Sequence, residues 1–356
     1  MNDAKSIGGS YVGVEPMGLF WSMKSTKKLL TRWGPSDVTI PYTFKFDVFK
    51  DYIGNFDKQK SIAELELQRT FLLPGVQRIP VEQDGLYGTI FVPPGKGPFP
   101  GLLTIMPNSR KGGAENHAAL LANHGFATFL VYFQGVGDLP PLYNHIRIEY
   151  FEKALQYFLS QDYVDKDGVG IYSLCKGSEM ALLMASFLES VKAVVCINGS
   201  MGSAGGIITY KDFTLPEMEG DYSTCKVIKD NLLDAHDVLE NIEDQPGKQI
   251  PIEKAEADIL MIVGEADRNF HSYRFADIAM RRMREAGKCN LQVKSYPGAG
   301  HFISHPFVPP EYCTLHAMAP KGMLINMGGH DTKRHVKAQI HSWQLLLSFF
   351  KEKLFT

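Results

Sequence analysis

The stretch Val169-Gly-Ile-Tyr-Ser173-Leu-Cys175-Lys-Gly177-Ser-Glu-Met-Ala-Leu-Leu-Met-Ala185 decides how the rest of the chain is read. An apolar run ends in the order small residue, x, nucleophile, x, Gly and passes directly into helix-forming residues. This is the sequence of a sharp strand-to-helix turn that presents a nucleophile at its apex. The turn is too tight for side chains two residues before and after the apex, and Ser173 and Gly177 fill those places. Cys175 stands at the apex itself. The N–H groups and dipole of a helix starting at the next residue favour negative charge, which helps to hold a thiolate. The N–H of Lys176 is then one donor of an oxyanion hole. Taken alone, Cys175 also fits a small buried apolar residue, the ordinary state of a free cysteine.

A nucleophile on such a turn needs an acid and then a histidine downstream, each on a loop after a strand. Both are present. Ala257-Asp-Ile-Leu-Met-Ile-Val263 leads into Gly264-Glu-Ala-Asp267, and Leu291-Gln-Val-Lys-Ser-Tyr296 leads into Pro297-Gly-Ala-Gly-His301. Cys175, Asp267 and His301 are the expected catalytic set, and the joint pattern points to the α/β-hydrolase fold. Ser173 and Ser178 are rival nucleophiles, but a tight-turn residue and an early helix residue are the simpler readings. Glu265 is a rival acid. His305, His316 and His330 sit in Pro- and Gly-rich segments and read as surface or wall residues. His117, His124, His271, His335 and His341 fall in helical contexts, as solvated or internally satisfied rings. The second oxyanion donor is expected from the loop Met106-Pro-Asn-Ser-Arg-Lys-Gly-Gly113, through the N–H of Asn108 or Ser109. Arg110 and Lys111 read either as a solvated pair or, flanking the entrance, as a phosphate contact.

Outward from this turn, short apolar strands alternate with helices from residue 76 onward. Strands are expected at Val76–Pro80, Leu86–Val92, Pro100–Ile105, Ala127–Tyr132, Val169–Tyr172, Ala193–Asn198, Ile259–Val263 and Leu291–Ser295. Helices are expected at His117–Asn123, Glu149–Gln161, Gly177–Leu188, Ser272–Ala286 and Lys337–Lys353. That alternation predicts a mostly parallel sheet covered on both faces, an α/β architecture. Gly199–Gln249 has few buried-strand signals and reads as an excursion forming a lid or wall. Before Pro74-Gly75 the pattern differs: Val38–Val48 and Leu65–Phe71 carry period-two alternation, as in half-buried antiparallel strands. The expected division is a β domain of about three strands in residues 1–75 and a catalytic domain in 76–356.

Composition agrees with an ordinary globular enzyme. The 356 residues are 44% hydrophobic and 21% charged, well away from the signature of disorder. Lys and Arg total 37 against 39 Asp and Glu, so no large field draws the chain to nucleic acid. Five cysteines without a C-x-x-C pair or a Cys/His cluster at zinc spacing argue against a disulfide scaffold and a structural zinc, and no metal or cofactor is expected. No apolar stretch approaches the ~18 residues of a membrane span. The start lacks a signal-peptide core and the end, Lys351-Glu-Lys-Leu-Phe-Thr356, is not of the Ser-Lys-Leu type, so cytosol is the expected location.

A cysteine acylated at such a turn is a thioester. It gains little by attacking an oxyester or amide, whereas exchange with another thioester is nearly balanced, so an acyl-CoA is the natural donor. Acyl-cysteine also reacts more readily with amines than an oxyester does. The chain resembles the acyl-CoA thioesterase and bile acid-CoA:amino acid N-acyltransferase family. The likeness is carried by Gly8-Gly-Ser-Tyr-Val-Gly-Val-Glu-Pro-Met-Gly-Leu-Phe-Trp-Ser-Met23, Gly97-Pro-Phe-Pro-Gly101, Leu120-Leu-Ala-Asn-His-Gly-Phe-Ala-Thr128, Glu149-Tyr-Phe-Glu152, Ile197-Asn-Gly-Ser200, Ile250-Pro-Ile-Glu-Lys-Ala255 and Tyr296-Pro-Gly-Ala-Gly-His301. The resemblance implies an α/β-hydrolase domain behind a shortened N-terminal immunoglobulin-like β domain. It implies acyl-CoA as substrate, with water, glycine or taurine as acceptor in fatty acid or bile acid metabolism. Cys175, Asp267 and His301 match the family's triad, and cysteine is typical of the N-acyltransferase branch. The family's Gly-rich oxyanion loop is replaced by Pro107-Asn-Ser-Arg-Lys111, and some members are peroxisomal. A carboxylester or dienelactone-type hydrolase shares the turn, and a non-catalytic interaction protein is the third reading.

Overall fold

A computed structural model of the chain describes residues 5–6, 8–24, 37–50, 60–107, 114–142, 144–229, 231–315, 319 and 323–355. One helical turn, α1 (Gly18–Trp21), precedes β1 (Tyr42–Val48) and β2 (Ala63–Arg69), which pair antiparallel from Tyr42↔Arg69 to Val48↔Ala63. Phe44 and Phe46 stand on one face of β1, and both pack edge-on against Phe20. About three strands were expected in this segment; its described residues hold two. The run from Val38 begins as a turn because Asp37 accepts the Thr39 N–H at 2.9 Å and Pro41 has no N–H for a ladder.

From Gln77 the elements follow as β3 (Gln77–Gln83), β4 (Leu86–Val92), β5 (Phe99–Ile105), α2 (Glu115–Ala122), β6 (Ala127–Val131), β7 (His145–Arg147), α3 (Ile148–Leu159), β8 (Val164–Leu174), α4 (Lys176–Phe187) and β9 (Val191–Ile197). Then come β10 (Ile207–Tyr210), β11 (Phe213–Leu215), β12 (Lys226–Lys229), β13 (Leu232–Asp234), β14 (Asp258–Gly264), α5 (Ser272–Glu285), β15 (Leu291–Tyr296), β16 (Cys313–Leu315), β17 (Leu324–Asn326) and α6 (Thr332–Leu354). Eight strands form one sheet in the order β15-β14-β9-β8-β5-β6-β4-β3. The β3–β4 and β4–β6 pairs are antiparallel and the others parallel. The central strands are apolar on both sides because helices cover both faces. Phe129, Phe151, Phe158 and Leu183 fill the layer under α3, α4 and α5, while Leu102, Tyr172 and Phe350 fill the layer under α2 and α6.

The expected strands and helices lie within a few residues of those observed, with one larger difference. The described residues of 199–249 hold four short strands. β10 and β11 form a hairpin turning at Lys211, whose φ is 50°, and β12 and β13 join β17 and β16 in a separate sheet of order β12-β13-β17-β16. Strands of three or four residues carry too little periodicity to be read. Among the described residues no helix is long and apolar enough to cross a membrane.

Candidate active site

Parallel strands leave their carboxyl ends on one side of the sheet, and β8, β14 and β15 deliver Cys175, Asp267 and His301 there. Cys175 has φ 53° and ψ −126°, a conformation that costs a non-glycine residue about 1–3 kcal/mol. Its surroundings impose it. The Cys175 N–H donates to the Ile197 carbonyl at 2.9 Å, and the Ser178 N–H donates to the Cys175 carbonyl at 2.9 Å. A Cβ on residue 177 would sit 2.0 Å from the Ile105 carbonyl oxygen, so only glycine lets α4 approach β5. The rival nucleophile Ser173 is turned into the sheet, where its hydroxyl donates to the Val195 carbonyl at 2.9 Å, and Ser178 is fully buried beside it.

His301 is 1% exposed, with Nδ1 2.7 Å from Asp267 Oδ2, and Cys175 lies close enough to act on the same ring electrostatically. Burial pushes the imidazole down, but Asp267 and Cys175 push it up further, to about 10. Asp267 is itself held in place: it accepts the Asn269 N–H at 2.8 Å, the Phe270 N–H at 3.4 Å and the Ser272 hydroxyl. Glu265 is exposed and Asp267 occupies the orienting position.

Two polar side chains hold the His301 loop from behind. Asn198, fully buried with φ 46°, donates to the His301 carbonyl at 2.6 Å and the Gly300 carbonyl at 3.1 Å, while its oxygen accepts the Gly264 N–H at 2.8 Å. His335 of α6 accepts the Gly300 N–H on Nδ1 and donates from Nε2 to the Phe302 carbonyl, both at 3.0 Å. These bonds require the neutral ring, and burial pushes it down to about 4. From the front, the His301 N–H donates to the Met327 carbonyl at 2.7 Å.

Beside the turn lies a buried ion pair. The Lys176 ammonium is 2.6 Å from Glu179 Oε2 and also donates to Ser203 Oγ at 3.0 Å and the Gly205 carbonyl at 2.7 Å. Glu179 Oε1 accepts from the Ser200 hydroxyl at 2.9 Å and the Ala204 N–H at 3.1 Å. Burial pushes the Glu179 carboxyl up and Lys176 opposes it. The pair ties the start of α4 to the 199–206 loop, one wall of a cavity of about 520 Å³. Cys175 and His301 reach this cavity, whose apolar lining includes Met218, Leu233, Val238, Phe270, Ile325 and Met327.

The expected site residues thus divide into two groups. Cys175, Lys176 and His301 line the cavity, and Asp267 stands behind His301, bonded to its Nδ1. Asn108, Ser109, Arg110, Lys111 and His316 lie outside the described residues. His305, expected at the surface or in a wall, is 4% exposed and packs against Phe71 and His117, because the front segment of the chain covers it. His335 is an internally satisfied ring, and His330 is exposed. Asn198 and the Lys176–Glu179 pair have structural tasks that were not read. A polar residue ending the apolar run Val191–Ile197, and a charged pair three apart inside the apolar α4, were the available signals.

Sheet order, nucleophile turn and the Cys–His–Asp line define a protein of the α/β-hydrolase class. A puromycin-hydrolyzing peptidase of Mycobacterium tuberculosis shares this fold, with a TM-score of 0.52 at 11% identity over 78% of this chain and 39% of that one. The chain belongs to the acyl-CoA thioester hydrolase/BAAT family: residues 1–83 match its N-terminal region and residues 146–356 its C-terminal region. Acyl-coenzyme A thioesterase 1 of Homo sapiens is 37% identical over 353 residues, covering 99% of this chain and 82% of that protein. The mitochondrial acyl-coenzyme A thioesterase 2 of Homo sapiens is also 37% identical, over 99% of this chain and 72% of that protein. The peroxisomal succinyl-coenzyme A thioesterase of Mus musculus is 36% identical, over 98% of this chain and 82% of that protein.

Proposed function

We propose that the protein hydrolyses acyl-CoA through an acyl-enzyme on Cys175. One observation carries this reading: Cys175 and His301 open into a largely apolar cavity of about 520 Å³, room for an acyl chain with its carbonyl at the sulfur. In the proposed cycle His301 already carries the proton of the Cys175 thiol, as its raised pKa requires, and the sulfur attacks the thioester carbonyl. Asp267 balances the imidazolium charge. The Lys176 N–H, in the first turn of α4, stabilises the oxyanion, with Asn108 or Ser109 as second donor. Collapse of the intermediate breaks the bond to CoA, whose sulfur takes the proton from His301. Water, deprotonated by the same ring, then attacks the acyl-cysteine and releases the carboxylic acid. We assign residues 76–356 to the catalytic unit, residues 1–75 to a smaller β unit, and Arg110 and Lys111 to the CoA phosphates. All five cysteines are free thiols, and the reading places the enzyme in a reducing compartment, the cytosol in the first instance.

Cysteine at the apex favours a second acceptor, an amine such as glycine or taurine, because an acyl thioester yields to amines more readily than an oxyester. Incubation with a long-chain acyl-CoA, with and without glycine, separates the two by mass spectrometry. Free acid alone marks a hydrolase; N-acylglycine marks an acyltransferase. CoA release that persists in Cys175→Ala rejects the acyl-enzyme in both forms.

A further inference from the structure

Away from Cys175, the fold brings two adjacent ligand-type side chains, His236 and Asp237, against a third, His271, from the start of α5. One nitrogen each of His236 and His271 and a carboxylate oxygen of Asp237 lie within 4.8 Å of one another, all partly accessible. His271 Nε2 is 3.3 Å from Asp237 Oδ1. Zinc bonds of about 2.0–2.1 Å in tetrahedral array set ligand atoms about 3.3 Å apart, so this pair already has the spacing of two zinc ligands. His236 completes the group. Its ring centroid is 3.6 Å from that of His271, and its Nδ1 is buried with no hydrogen-bond partner. An imidazole nitrogen kept from water and left unpaired is costly unless something else binds the cluster.

The surrounding charges permit a cation. Arg268 is committed to Asp234, and Lys226, on the other carboxylate oxygen of Asp237 at 3.1 Å, is 67% exposed and free to swing away. Two imidazoles and one carboxylate form a donor set for zinc and its neighbours rather than for calcium or magnesium.

We propose that His236, Asp237 and His271 form a binding site for a divalent transition-metal ion, zinc in the first instance, with water completing its shell. Asp237 directly precedes Val238 of the cavity wall, and His271 directly precedes Ser272, the hydroxyl partner of Asp267. A bound ion therefore staples the cavity wall to the loop that carries the acid.

The test is a titration of the full-length, metal-stripped chain with zinc by calorimetry and with cobalt by absorption spectroscopy. One site per chain is expected, without thiolate-to-cobalt charge transfer and unchanged in Cys175→Ser, which removes the thiol most able to compete. His271→Ala and, as a milder change, Asp237→Asn should each weaken binding by at least about tenfold, since even outer-shell losses cost about 10–100-fold. Zinc should also raise the melting temperature of the parent chain but not of His271→Ala. No saturable binding, binding that survives both substitutions, or binding lost in Cys175→Ser overturns the proposal. None of these readouts depends on acyl-CoA turnover.

Discussion

The carboxamide of Asn198 donates to the backbone carbonyl of His301 at 2.6 Å across a sequence separation of 103 residues, while its oxygen holds Gly264. One side chain thereby joins the ends of β9 and β14 to the loop that carries the imidazole. Replacing Asn198 by Ala strands three buried backbone groups, each worth about 1–3 kcal/mol when left unpaired. The imidazole then loses its registration to Cys175. The variant should lose about a hundredfold in kcat with a small change in KM, as expected for a misplacement near 1 Å. Steady-state kinetics on folded protein check it, and a kcat within threefold of the parent assigns Asn198 no part in positioning.

The Lys176–Glu179 pair is buried on both sides, 3% and 2% exposed. Removing one partner leaves the other charged and unmatched, a loss of about 3–5 kcal/mol. Glu179→Gln should therefore destabilise the protein by that amount. The double variant Lys176→Met, Glu179→Leu should recover part of it. Urea midpoints measure both, and a single variant as stable as the parent contradicts the ion pair.

Stability should peak between mildly acidic and neutral pH. Burial holds His305 and His335 down to about 4, so the unfolded chain, titrating near 6.5, takes up protons that the native state refuses. Their contribution is complete above pH 6.5 and fades as pH falls toward 4, with a slope on the order of 1 kcal/mol per pH unit for each. His301, raised to about 10, acts in the opposite sense: its contribution is complete below pH 6.5 and fades as pH rises toward 10. Urea midpoints between pH 5 and 6.5 should flatten in His305→Asn, and those between pH 7 and 9.5 in His301→Ala. Limbs unchanged by these substitutions contradict the assignment.

Leu233 lines the cavity and is nearly buried. Leu233→Trp should shorten the chamber and lower kcat/KM for the longest acyl-CoAs by at least about tenfold, the scale set by one or two methylenes. Short acyl-CoAs should keep their rate, which also shows that the variant folds. Equal losses at all chain lengths would place the acyl group elsewhere.

Much of this architecture was legible in the sequence, because its signals are local. The strand before Cys175 and the helix after it are contiguous, the loop to Asp267 follows the apolar run Ile259–Val263, and the loop to His301 follows the alternating strand Leu291–Tyr296. What escaped reading is long-range. Asn198 meets Gly300 and His301, and His236 meets His271, only after the sheet has closed. β13 and β17 are three residues each, too short to show a period, and they pair as Leu232↔Leu324 and Leu233↔Ile325. His305 lies in a stretch that reads as surface, yet Phe71 covers it from a different part of the chain.

That pairing of β13 with β17 closes the cavity beside Cys175 with far less backbone adhesion than holds the eight-stranded sheet beneath it. Short ladders open at lower free energy than long ones. This part of the cavity wall should therefore exchange its amide hydrogens before the eight-stranded sheet does, and opening there leaves the turn at Cys175, anchored in that sheet, in place.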